Sequence, residues 1–156
     1  MAIDVEQVVR EYIDKTVHMS LGTSRDGQPW VCEVHFAFDD DLNLYFRSKS
    51  SRRHSQEIRD NPKVAGNIVK QHNLDESVVG VYFEGTTERL EGVTTASTAY
   101  KVLNARLRTP EEAVEEATHD DGHAFYKITV KNWCVFGRFG GDSGQKHELA
   151  WNGGQK

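Results

Sequence analysis

The chain has 156 residues, 37% hydrophobic and 28% charged, with a formal net charge of −5. That length suits one domain around one core, and the composition excludes a disordered chain. The net acidity excludes a general pull toward nucleic acid or an anionic membrane, so any anion site must be local.

Met1 to Arg10 is acidic and amphipathic without an apolar signal region, and no run approaches the roughly 18 apolar residues of a membrane span. The expectation is a protein that is neither secreted by this segment nor embedded. Cys32 and Cys134 lack metal-type spacing and read as reduced, buried thiols, which makes the cytoplasm the expected compartment. The seven histidines read as scattered surface residues, so no metal is expected.

Asp4 and Gln7 form a capping pair, and Val5, Val8, Val9, Tyr12 and Ile13 follow at helical spacing, which predicts a helix over 4–16. Alternation over 18–24, an Asp26-Gly27 turn and a second alternating run over 29–38 predict a hairpin. In that second run Trp30, Cys32, Val34, Phe36 and Phe38 make an apolar face. Val31, Glu33, His35 and Ala37 make a mixed face, where Glu33 and His35 could touch a ligand or form a polar pair at a barrel mouth. Asp39-Asp40-Asp41 reads as a hairpin tip rather than a metal site. A third strand over 42–48 leads through Ser48-Lys49-Ser50-Ser51-Arg52-Arg53-His54 into a short helix that Pro62 stops.

Strands follow over 64–69 and 78–91, then helical spacing over 94–107 and a short helix opened by Thr109-Pro110. The last long strand spans 124–139, ahead of a polar, Gly-rich tail over 140–156. Six strands at hairpin spacing, with helices ahead and inserted, are best buried by closure into a six-stranded antiparallel barrel. The expected organisation is a single domain over 1–156 with its core in 4–139.

Phe46-Arg47-Ser48-Lys49 at a strand end, with Arg52, Arg53 and His54 at a helix start, gathers hydroxyls, cations and free helix N–H groups; a phosphate needs that set. Such a stretch also serves as a solvated basic surface. A nucleic-acid contact is disfavoured by the net acidity and the lack of interleaved exposed aromatics.

The order of these signals, with Gln28-Pro29-Trp30, Leu44-Tyr45-Phe46, Ser51-Arg52-Arg53, Asn61-Pro62-Lys63-Val64-Ala65, Phe83-Glu84-Gly85 and Glu88-Arg89-Leu90-Glu91-Gly92, resembles the pyridoxamine 5′-phosphate oxidase-like superfamily over residues 4 to 139. The resemblance implies an FMN-binding split β-barrel, a homodimer with cofactor at the interface, and a small-molecule substrate. It places the phosphate at Ser48, Lys49, Arg52, Arg53 and His54, beside the strand end that carries Phe46 and Arg47, and the ring against Val31, Cys32, Glu33 and Val34; from their residue type, Trp133 and Trp151 are candidates to stack on the flat ring, with core or dimer interface the commoner role. Aligned on Pro62, Arg53-His54 take the place of the family's Arg-Lys; aligned on Ser51, Arg52-Arg53 do. The oxidases proper carry an arginine where this chain has Cys32, and the segment Gly137-Arg138-Phe139-Gly140-Gly141 with His147 does not reproduce their substrate-binding pattern. Pyridoxamine phosphate oxidation is therefore not expected. The readings are an FMN-dependent oxidoreductase or a non-enzymatic module that holds a flavin, the deazaflavin F420, haem or no cofactor.

Overall fold

The computed structural model describes residues 3–139 and 144–153. Helix α1 (Val5–Ile13) starts at Asp4, whose carboxylate accepts from the Gln7 amide at 3.0 Å. It buries Val9, Tyr12 and Ile13 against the sheet. Strands β1 (His18–Arg25) and β2 (Gln28–His35) are joined by Asp26 (φ 52°) and Gly27 (φ 79°). Two consecutive left-handed residues make the turn whose twist matches a two-residue hairpin, as the Asp-Gly signal predicts.

The run predicted as one strand over 29–38 divides. Phe36 turns inward and is fully buried, its amide bonded to the Val17 carbonyl at 2.9 Å, and β3 (Ala37–Phe38) leaves β1 to pair with β4 (Leu44–Lys49). Helix α2 (Arg53–Asp60) and strands β5 (Lys63–Ile68) and β6 (Gly80–Leu90) follow. After these come α3 (Thr98–Leu107), the short α4 (Glu112–Glu116), β7 (His123–Gly137) and β8 (Gln145–Ala150).

All strand pairs are antiparallel, in the order β2-β1-β5-β6-β7-β4-β3, with β8 also on β7. The two ends of that order, β2 and β3, are consecutive in the chain, so the sheet must curl until its edges come near each other. The long β7 gives the first half of its length to β4 and the second half to β8, which opens the curl into a split barrel. At Gly85 the β6–β7 register shifts, and a Cβ there would stand 2.2 Å from the Thr129 carbonyl oxygen, so only glycine lets the strands approach.

There are thus eight strands among the described residues, not six. One predicted strand splits in two, and β8 lies in what reads as a tail. Residues 140–143 and 154–156 of that tail lie outside the described residues. Past β8, Trp151 is buried, its indole N–H donating to the Asp41 carbonyl at 2.8 Å. The Asp39 carboxylate accepts from the amides of Asp41 and Asn43, the Asn43 side chain and the Tyr45 hydroxyl, so it serves as the tip of the β3–β4 hairpin.

One apolar cluster fills the curl, around Phe36, Phe46, Ile128 and Trp133; a second lies outside it, where Ala99, Tyr100 and Leu103 of α3 cover Ala37, Tyr45 and Phe125. The second cluster fixes α3 against β3 and β4, and so places the C-terminal end of α3 near the edge strand β2. No helix among the described residues is long and apolar enough to cross a membrane.

Candidate functional site

The end of β4, the start of α2, the edge strand β2 and the α3–α4 connection enclose a groove of about 770 Å³. Of the residues singled out from sequence, it gathers Cys32, Glu33, Val34, Arg47, Ser48, Arg52, Arg53 and His54. Trp30 and His35, also named from the sequence, line it too, and it adds Leu103, Leu107, Arg108, Thr109, Pro110 and His123. Glu33, Val34 and His35 also border a second depression of about 530 Å³ on the other side, with His18, Met19, Ser20 and Asn67. The strand face read as apolar, Trp30-Cys32-Val34, is a wall of this groove. Because β2 is the last strand of its edge, that face is only partly covered.

The opening of α2 is the most polar part. Its N-cap, Arg52, has extended backbone and offers no side-chain cap, and no acidic residue occupies the first turn. The first amides of a helix end in this way carry partial positive charge and point outward, ready for an anion. Arg53 is held by two neighbours. Its Nε donates to Glu57 Oε2 at 2.8 Å, and its guanidinium lies 4.1 Å from the centre of the Trp30 ring. The buried Glu57 also accepts from Thr23 Oγ1 at 2.8 Å. Hydrogen bonds from Arg53 and then Thr23 hold its carboxyl below the usual range. Arg53 is thereby fixed in place at the groove, whereas Arg52 has no carboxylate partner among the described residues.

Arg47 enters from β4. Its Nη2 meets Glu116 Oε2 at 2.7 Å, and its Nε is buried with no partner among the described residues. An unpaired buried donor on a groove wall fits a ligand that brings an acceptor oxygen. Glu116 is held down to about 2, first by the hydrogen bond from His123 and further by Arg47, so it stays a carboxylate.

Several sequence expectations need correction. Phe46 and Trp133 are both fully buried, Phe46 stacked on Tyr126 and Trp133 tilted against Phe83, so their side chains fill the barrel and touch no groove. His54 is no phosphate cation. It is buried and shares a 2.7 Å hydrogen bond with Ser48 Oγ, and burial and then Arg52 push its pKa down, so it braces Ser48. Lys49 is drawn to Asp121 at 3.7 Å, and Val31 stands exposed outside the groove. The cysteines are free, as read, but half-buried rather than buried; burial, with Glu33 and Glu57 nearby, pushes the Cys32 thiol up to about 11.

The groove residues missed from sequence, Leu103, Leu107, Arg108, Thr109 and Pro110, arrive by tertiary packing of α3. The Arg108-Thr109-Pro110 run signals a helix end, but no local pattern shows where that end lands.

A curled antiparallel sheet split along β7, with a cationic groove at the start of the helix after β4, defines the split-barrel class of pyridoxamine 5′-phosphate oxidase-like proteins. A family model described as pyridoxamine 5′-phosphate oxidase matches residues 5–135, and the chain belongs to that family. A UPF0306 protein of Photorhabdus laumondii is 28% identical over 87 residues, which span 55% of this chain and 61% of that relative, less than two thirds of its length. The structure of a haem-binding protein from Mycobacterium smegmatis superposes with a TM-score of 0.74 at 17% identity, covering 96% of this chain and 59% of that one. That of an FAD-binding protein from Mesorhizobium loti gives 0.63 at 21%, covering 83% and 90%. Both likenesses are of fold.

Proposed function

We propose that the groove binds FMN or a related phosphorylated flavin, and that the chain is a flavin-dependent oxidoreductase other than a pyridoxamine phosphate oxidase. The observation that carries this is the uncapped start of α2, with Arg52 and Arg53 beside it, opening into a groove large enough for a flavin. The phosphate would lie on those amides and guanidiniums, with Ser48 held toward it by His54. The unpaired Arg47 Nε adds a donor for a ligand oxygen. The ring would lie along Cys32 to His35 of β2, against a wall that is apolar in Cys32 and Val34 and polar in Glu33 and His35.

When bound, the flavin supplies hydride and electron transfer; the protein's part is position, ring surroundings and exclusion of water. The raised Cys32 thiol stays protonated at neutral pH and takes no nucleophilic role. Exposure of Trp30 (42%) and Val31 (62%) on the edge strand supports a second copy closing the groove, so that the working unit is a homodimer.

A haem is the second reading. The fold likeness to a haem-binding protein favours it, and His35 on the groove wall could serve as an iron ligand. The visible spectrum of the protein, after addition of FMN and desalting, separates the two. A retained oxidised-flavin band is the expected result; retention of haemin with no retention of FMN would replace the flavin reading with the haem one.

A further inference from the structure

The C-terminal end of α3, away from the phosphate site at α2, is closed by a left-handed residue that is not glycine. Arg108 has φ 57° and ψ 36°, the left-handed conformation, and its amide donates to the Asn104 carbonyl at 2.9 Å. This is the helix-ending position at which glycine is favoured, because a Cβ is penalised there. Here the chain places a long cationic side chain and then secures the strained backbone: Asn104 Nδ2 donates to the Thr109 carbonyl at 2.8 Å.

The side chain emerges at the groove. Arg108 is exposed, lines the groove with Leu103, Leu107, Thr109 and Pro110, and has no carboxylate partner among the described residues. The nearby arginines Arg47, Arg53 and Arg106 each have one. Arg52, on α2, is the other unpaired guanidinium of the groove. The groove therefore has two free cations on two separate elements, and a single phosphate at α2 uses only one of them.

We infer that Arg108 recognises a second anionic group of the ligand, and that its left-handed backbone is kept because it aims the guanidinium into the groove. The inference rests on the groove being the ligand site proposed above, and it names the ligand class as polyanionic. The second anion would come from the additional phosphate of a dinucleotide such as FAD, or from the carboxylates of a porphyrin. A purely structural role, in which the cation offsets the carbonyl end of the α3 dipole, would leave ligand affinity untouched.

The test uses the full chain with FMN, FAD and haemin as probes, comparing wild type with Arg108→Gly and Arg108→Lys. Arg108→Gly is expected to melt about 2–4 °C higher through relief of the strained backbone. It should bind FAD or haemin about tenfold more weakly and FMN within about threefold of wild type. Arg108→Lys should recover most of the lost affinity. A loss confined to FAD assigns the second phosphate, and one confined to haemin assigns the carboxylates. Unchanged affinities in a folded Arg108→Gly protein would overturn the inference and leave Arg108 as a helix cap. An equal loss for FMN would overturn the second-anion assignment. A wild-type protein that binds none of the three overturns the groove reading and this inference with it, so the two failures are distinguishable.

Discussion

Arg52→Ala is expected to weaken FMN binding by about 10–100-fold, the range of one charge-assisted hydrogen bond lost from a phosphate. The melting temperature should stay unchanged, because Arg52 is exposed and forms no ion pair among the described residues. The companion Arg53→Ala should lose a similar factor, but its interpretation differs. Arg53 is the ion-pair partner of a buried carboxylate, so alanine leaves Glu57 charged and held by Thr23 alone. That variant should melt lower as well as bind more weakly. Arg53→Ala combined with Glu57→Gln removes the stranded charge, restores much of the melting temperature and leaves the binding defect. FMN titration of the folded Arg52→Ala protein, followed by flavin absorbance, checks the assignment; wild-type affinity in that protein would remove the α2 end from the site.

The largest expected loss of stability falls on Arg106. Its guanidinium donates to the carbonyls of Ile13 and Thr16 and reaches Asp14 Oδ1 at 3.2 Å, while lying 5.5 Å and 5.0 Å from the rings of Phe36 and Phe38. One side chain thus ties α3 to the turn between α1 and β1. Arg106→Ala leaves two backbone carbonyls without their donor and takes a covering group off two aromatic rings. The expected cost is about 2–4 kcal/mol. For a chain of this length that corresponds to a melting temperature lower by about 5–12 °C. Arg106→Lys should recover little, since a single ammonium cannot reproduce a planar fork that serves three acceptors and lies over two rings. A thermal melt measures both. Because α3 carries Arg108, Arg106→Ala should also loosen that wall of the groove.

Much of the fold was legible where local chemistry decides it. The Asp26-Gly27 turn, the Asp4 cap and the proline that ends α2 are each set by residues close in sequence, and each stands where the pattern places it. What the pattern could not show is which partner a strand takes. Phe36 alternates in register with Trp30, Cys32 and Val34, yet its inward turn divides that run between opposite edges of the sheet. Strand β8 is polar at Gln145, Lys146 and Glu148, and only its pairing with β7 makes it a strand.

The site divides in the same way. Arg52 and Arg53 were legible because strand end, cations and helix start are contiguous in sequence. The buried fates of Phe46 and Trp133 depend on which side of a curled sheet faces inward, and alternation alone does not distinguish a core face from a groove face. Arg108 was invisible as a groove residue because its whole stretch, Leu103 to Pro110, reaches the groove only through tertiary packing; the contacts of Tyr100 and Leu103 with Tyr45 and Phe125 bring it there.

The central claim is that a flavin phosphate is held at the start of α2, and a side-by-side titration of the wild-type protein with FMN and riboflavin tests it most directly. The two ligands share the ring and differ in the phosphate, so FMN should bind at least about tenfold more tightly, with the difference shrinking as salt is raised. Equal affinity for the two, insensitive to salt, would contradict the account.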